Sequence, residues 1–333
     1  MRCKRWFSER RTRGHHKPAF VKRIVNTYFD TRGSYRRTAR SVDYKLSHMQ
    51  IFRIVEKLGR GCKDAVQVAG ELHPRWSGIL GLDGKTVDVR GKNMVLVDAV
   101  DLGTQDSVDS ALVPIEDHRS LCPFLEEVRD AIGYRPRMLV IDDDKAWRAA
   151  CEAVFPGVPI QLCVVHFERI VDRILPKRKR TSEQEEFKQM VRRVLYAKSG
   201  KAAGRAMDET LEARRNKRFT GRKESHIAFS LVRNFRLLTA HFQVGTRFRD
   251  NNITEGVNDK LQMKLFLIRG FKKEESARNT LKLIVMHYRF NPFSSCKIKE
   301  HDGKSPLDLA GVDTSRFDWV VYSQRDKRIL NVL

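Results

Sequence analysis

"RMLVIDDDKAWRAACEAVFPGVPIQLCVVHFERIV", residues 137–171, decides how the chain is read. The run 137–141 is short, apolar and β-prone, and three aspartates close it. Residues 145–155 read as a helix and 159–165 as a second strand. Two strands joined through a helix run parallel, with a right-handed crossover. Upstream, "GILGLDGKTVDV" (78–89) and "NMVLVDAVDL" (93–102) are strand-like runs separated by "RGK", and a weaker strand covers 107–113. A helix over 119–132 follows, with Leu121, Leu125, Val128 and Ile132 on one face. A three-strand meander followed by alternating helix and strand predicts a mixed α/β sheet. Residues just past the C-terminal ends of its parallel strands are where a site is expected.

The charge is distributed in a way that constrains function. The 333 residues carry 65 Lys+Arg against 41 Asp+Glu, a formal net charge of +24. Such an excess points to a polyanionic partner, most simply nucleic acid. By segment the net charge is +13 over 1–79, −6 over 80–166 and +17 over 167–333. An acidic island inside a basic chain repels phosphate unless its carboxylates hold divalent cations that meet the phosphate directly. No run approaches 18 apolar residues, and the basic N-terminus lacks the apolar segment of a signal peptide, so a cytoplasmic, chromosome-associated protein without membrane contact is expected. Six scattered cysteines form no disulfide-like framework and are expected as reduced thiols.

Outside the sheet the pattern is helical. In "FVKRIVNTYF" (20–29), Val21, Ile24, Val25 and Tyr28 share one face; "SYRRTARSV" (34–42) gives a short second helix. A third begins at Ser47 and Gln50, in capping-box spacing, and repeats Ile51, Ile54, Val55 and Leu58 before Gly59. These three predict a helix-turn-helix within a DNA-binding domain over 1–78. Ser47, His48, Gln50, Arg53 and Lys57 of the third helix, with Arg36 and Arg37 of the second, are the candidate DNA contacts; the bland alternative is a packing unit with a solvated basic face. The core spans 79–166, an all-α insertion 167–250, and a further core segment of two helices 251–290. Residues 291–333 form a tail without clear pattern. There is no internal repeat and no Walker A phosphate loop.

Three carboxylates stand out by placement: Asp83 in the first strand, Asp142 directly after the fourth, and Glu255 in the first turn of the helix after the insertion. If the first and fourth strands are neighbours, Asp83 and Asp142 lie side by side, and a helix across them delivers Glu255. Oxygen donors of this kind suit Mg²⁺ or Mn²⁺. Each residue also has a plainer reading. Asp83 before Gly84 can open a turn, and the aspartates 142–144 can be a loop or a helix cap. Glu255 can cap its own helix as the N3 partner of Asn252. Cys163 can be a buried thiol on a central strand. A structural zinc site at Cys163-x-x-His166 lacks a second Cys/His pair.

In "GLDGK" around Asp83, in the 142–171 run with its Phe155-Pro156 and Cys163-x-x-His166, and in "NNITEGVNDKLQMKLFLIRGF" (251–271), the chain resembles the DDE transposases of the IS256 and Mutator-like group. The resemblance covers roughly residues 79–290. It implies an RNase H-like mixed sheet interrupted by the helical insertion, and catalysis by Asp83, Asp142 and Glu255 with two Mg²⁺ or Mn²⁺ ions. It places Cys163 and His166 beside the carboxylates, and counting back from Phe155-Pro156 selects Asp142, with Asp143 the alternative. It implies cleavage and strand transfer at terminal inverted repeats by a homodimer or larger assembly on DNA. Arg269, near the end of the glutamate helix, either touches DNA phosphate or complements the helix C-terminus. The competing readings are a catalytically inactive, domesticated DNA-binding regulator and an RNase H-like nuclease acting on hybrids.

Overall fold

Strands β1 (Ile79–Val89), β2 (Lys92–Asp101), β3 (Asp106–Val113), β4 (Met138–Ile141) and β5 (Ile160–Leu162) form one sheet in the order β3-β2-β1-β4-β5. The computed structural model describes residues 16–31, 33–266, 271–296 and 298–331. β1, β2 and β3 pair antiparallel as a meander; β4 runs parallel to β1, and β5 parallel to β4. The expected mixed sheet is therefore present. Helices α1 (Pro18–Asp30), α2 (Tyr35–Ser41), α3 (His48–Gly61) and α4 (Ala65–Leu72) precede it. Helices α5 (His118–Glu126) and α6 (Lys145–Val154) lead to β4 and β5. The segment after β5 holds α7 (Val164–Ile174), α8 (Ser182–Leu195), α9 (Gly200–Arg215), α10 (Arg222–Leu238) and α11 (Ala240–Val244), so the insertion is helical as read. Then come α12 (Asn252–Phe266), α13 (Glu274–Phe290) and the short α14 (Pro306–Leu309) and α15 (Trp319–Tyr322).

Both faces of the sheet are covered. Leu80, Leu82, Val97, Ala99, Leu139 and Ile141 point into one core with α5 to α10, while Val87, Leu96, Val100 and Leu112 point into another with α12 and α13. The period of two along each strand sorts the side chains, and two covered faces explain why these strands read as nearly continuous apolar runs. The second core also contains Val21, Ile24 and Val25 of α1 and Ile51, Val55 and Leu58 of α3. Residue 78 thus marks a change of element type, with no break in packing. Local chemistry sets the helix starts: Pro18 opens α1, and reciprocal Ser47/Gln50 and Asp64/Gln67 boxes cap α3 and α4.

Several boundaries differ from the sequence reading. The strand expected over 159–165 ends at Leu162; Cys163 sits at the N-cap of α7, and Val164 and Val165 are helical. Packing of Val164, Phe167 and Val171 into the core overrides the β preference of two valines. The helical insertion therefore starts at 164 instead of 167, and Cys163 is not a strand residue. The helix over 119–132 is α5 followed by a π-helical turn, Glu127–Ala131. Helix α4, unassigned from sequence, lies between α3 and β1. The tail is ordered against the N-terminal helices: Trp319 donates to Asn26 Oδ1 at 2.7 Å, and Lys63 N–H donates to Ser323 O at 2.7 Å.

The acidic island is in large part structural. Asp101 accepts six hydrogen bonds, from Ser77 N and Oγ, Gly78 N, Tyr134 Oη, and Thr104 N and Oγ1, at 2.6–3.2 Å. Asp106 makes a buried two-pronged ion pair with Arg289 of α13, 2.8 Å on each prong, and accepts Trp76 Nε1–H. Asp101 and Asp106 are therefore not among the acids of the island expected to hold cations: their oxygens are already committed within the protein.

A candidate active site of converging carboxylates

Parallel pairing sets the first two acids. Gly81 of β1 is level with Val140 of β4, so two residues further along both strands bring Asp83 and Asp142 level. Helix α12 lies across β1 at very close range. A Cβ on Gly81 would stand 2.0 Å from Thr254 Oγ1 and 2.9 Å from Asn251 Oδ1, so only glycine admits the helix. Asn251 Nδ2 donates to Leu82 O at 2.8 Å, and its backbone N–H donates to Cys163 Sγ at 3.3 Å, fixing the start of α12. That seat places Glu255 over the end of β4.

Asp83 neighbours Asp142, and Asp142 and Glu255 meet at His166. Its Nδ1 is 2.7 Å from Asp142 Oδ1 and 3.5 Å from Glu255 Oε1. The 2.7 Å contact is not aligned as a hydrogen bond, so both atoms remain buried polar groups without a hydrogen-bond partner, and the pair attracts by charge. Asp142 first, and Cys163 second, push the imidazole up to about 10. Asp83 accepts from Asn258 Nδ2 of α12 at 2.9 Å and lies 3.4 Å from Lys85 Nζ. Burial raises its pKa against those partners, and neighbouring Asp142 raises it further.

The three consecutive aspartates separate by partner. Asp142 faces His166; Asp143 pairs with Arg148 at 2.9 Å; Asp144 caps α6 through the N–H groups of Ala146 and Trp147. Glu255 does not cap its helix. Asn252 is the first helical residue, and the Glu255 carboxylate turns to His166 and to Arg169 Nη1 at 3.2 Å. The capping reading of Asn252 and Glu255 is therefore corrected.

Three further residues join the site that sequence reasoning did not single out. Arg169 stands one turn after His166 on α7, Asn258 one turn after Glu255 on α12, and each reaches the same cluster as its i−3 neighbour. That spacing was the available signal. Glu116 lies before α5, accepts Trp147 Nε1–H at 2.5 Å, and has its pKa raised by burial and by Asp144, Asp83 and Asp142. No local pattern marks it.

As a cation site the structure brings one donor set this close among the described residues. Asp142, Cys163 and His166 bring O, S and N atoms within 4.8 Å of one another. Cys163 Sγ, however, is almost fully buried and already accepts the Asn251 N–H. Asp142 Oδ1 is a buried oxygen without an aligned hydrogen bond, 2.7 Å from His166 Nδ1.

On the N-terminal helices, Arg36, Arg37 and Arg53 are exposed, Lys57 is exposed, and His48 is half-buried. Ser47 and Gln50 spend their side chains on the reciprocal cap of α3. Arg269 lies outside the described residues. The described cysteines, Cys62, Cys122, Cys151, Cys163 and Cys296, are free thiols, and no helix of the described residues is long and apolar enough to cross a membrane.

Fold and site define an α/β protein with a carboxylate–imidazole cluster where β1, β4, α7 and α12 meet, in a chain of net charge +24. The model of the Mutator transposase family matches residues 13–292, most of the chain, which therefore belongs to the Mutator family of transposases. No curated protein matches it. A transposase acts on DNA, which accounts for the basic excess.

Proposed function

We propose that the chain is a DDE transposase of the IS256 and Mutator-like group, built on an RNase H-like sheet, in which Asp83, Asp142 and Glu255 hold two Mg²⁺ or Mn²⁺ ions. The observation that carries the reading is that Asp142 after β4 and Glu255 of α12 both stand against His166, with Asp83 of β1 level with Asp142. Such an ion pair, when bound, activates the attacking hydroxyl and stabilises the leaving oxygen. Asp83 and Asp142, with Glu255, would be the residues that hold the ions. Asn258 orients Asp83, while His166 and Arg169 hold Glu255 in place and keep positive charge beside the scissile phosphate. Water attacks first and frees a 3′ hydroxyl, which then attacks target DNA; the chain aligns the reactants and stabilises charge, without a covalent intermediate.

Residues 1–78 bind the terminal inverted repeats, with Arg36, Arg37, Arg53 and Lys57 facing DNA as part of a helix-turn-helix. Paired ends require a homodimer or larger assembly. Asp83→Asn, Asp142→Asn and Glu255→Gln are each expected to abolish Mg²⁺-dependent end cleavage while leaving DNA binding intact. Full cleavage by any of the three removes that residue from the site. Binding by the wild-type chain without any metal-dependent nicking overturns the catalytic reading in favour of a DNA-binding regulator.

A further inference from the structure

Within the insertion, many cations are matched by carboxylates on neighbouring helices. Arg180 pairs with Asp172 and Glu185, Lys188 with Asp172, Arg192 with Glu168, Arg193 with Glu209, and Arg218 with Glu186. Helix α10 is different. Ile227, Ala228, Leu231 and Leu238 bury its inner side, while Arg222, Arg233 and Arg236 are exposed and form no ion pair or hydrogen bond with any described residue. The helix's one acid, Glu224, is buried and accepts Gln184 Nε2–H on the inner side. The outer stripe is therefore positive without a compensating carboxylate.

Two apolar side chains interrupt that stripe. Phe229 is 67% exposed and Val232 47% exposed. At 100° per residue, Arg222, Phe229, Val232, Arg233 and Arg236 lie within one sector about 100° wide, and 222–236 spans about 21 Å, roughly six base pairs of duplex. The C-terminal end of α10 is fastened to the edge strand: Leu238 O accepts Gln161 Nε2–H at 3.0 Å, two residues before Cys163. The C-terminal end of the helix thus packs beside β5, the strand that leads through Cys163 into α7.

We infer that the outer face of α10 is a DNA-contacting surface, in which Arg222, Arg233 and Arg236 take backbone phosphates and Phe229, beside Val232, stacks on an unpaired base. Guanidinium forks match phosphate oxygens. A phenyl ring has nothing to offer a phosphate, and it gains by covering the face of a base that is not already stacked in duplex. The inference rests on the DNA-binding part of the proposed function and is independent of which carboxylates catalyse.

The test is a salt series of binding by the full-length chain, read by fluorescence anisotropy, with a blunt duplex and the same duplex carrying a short single-stranded overhang. Arg222→Ala/Arg233→Ala/Arg236→Ala is expected to reduce the slope of log affinity against log salt by about 2–3, since each phosphate contact contributes about 0.9. Phe229→Ala is expected to lose about tenfold in preference for the overhang, with the salt slope unchanged, and Phe229→Trp to restore it. All four positions are exposed, so circular dichroism should be unchanged. A triple variant with the wild-type slope, or a Phe229→Ala chain that keeps its overhang preference, overturns the assignment. So does wild-type binding to anionic vesicles or a polyglutamate peptide that matches its binding to DNA. Slope and overhang preference are read in metal-free buffer, where no cleavage takes place, so failure of the catalytic reading and failure of this one are read separately.

Discussion

Asp101 closes β2 and Asp142 follows β4, and their surroundings on the same sheet are opposite. Asp101 is fully buried and accepts six hydrogen bonds, and Asp106 nearby shares both oxygens with Arg289. Asp142 is partly open, and its Oδ1 meets an imidazole without an aligned hydrogen bond. Burying a carboxylate is tolerable when its lone pairs are filled by the protein. On the proposed reading, a carboxylate left short of partners beside other acids is held in reserve for a cation. The first group is committed within the fold.

That contrast can be broken most forcefully at Arg289. Arg289→Ala leaves Asp106 charged and buried, and is expected to cost about 3–5 kcal/mol in urea unfolding. A loss below about 1 kcal/mol would show that the pair is not structural. Next comes Asp98, buried between Ser107 and Ser110 and opposite Asp83 across β1 and β2, which burial pushes up to about 7. The folded state keeps this proton where the unfolded chain has released it, so stability falls as pH rises from about 4 to about 7. Asp98→Asn keeps the acceptor oxygen and is expected to gain on the order of 2–4 kcal/mol at pH 8 and little at pH 4. Equal effects at both pH values in thermal melts would refute it.

Gly81→Ala sharpens the geometric side. The added methyl meets Thr254 at 2.0 Å and Leu102 at 2.6 Å, so α12 must move, at about 1–3 kcal/mol, and Glu255 moves with it. End cleavage should fall much further than DNA binding. Smallest is Asp142→Asn in metal-free buffer, expected within about 1 kcal/mol of wild type because no filled hydrogen bond is lost. The distinguishing measurement adds Mn²⁺ or Mg²⁺: the wild-type melting temperature should rise with ion concentration, and that of the variant should not. A rise in both would place the ion elsewhere.

Much of this was legible. Short apolar runs gave the strands, since β4 and its aspartates are bounded by turn and cap residues within a few positions. Asp83 and Asp142 followed from the strand–helix–strand pattern, and Glu255 from the resemblance of the 251–271 run. The helical face of α1 and the cap of α3 were read residue by residue. The partners were not legible. Asn258 reaches Asp83 across 175 residues, and Arg289 reaches Asp106 across 183, and no local spacing records either pairing. The end of β5 was misplaced because Val164 and Val165 favour strand while the core receives them as helix.

Local rules of period, capping and turn chemistry act within one or two turns of chain, so the sequence by itself determined the element types and the α/β class, while the three acids rest on placement and resemblance. Whether a given acid is filled or left open depends on which distant side chain arrives beside it. Only the tertiary structure decided that, by seating α12 on Gly81 and α13 on Asp106. Filled lone pairs made Asp101 and Asp106 part of the fold, and Asp142 kept an oxygen without an aligned partner.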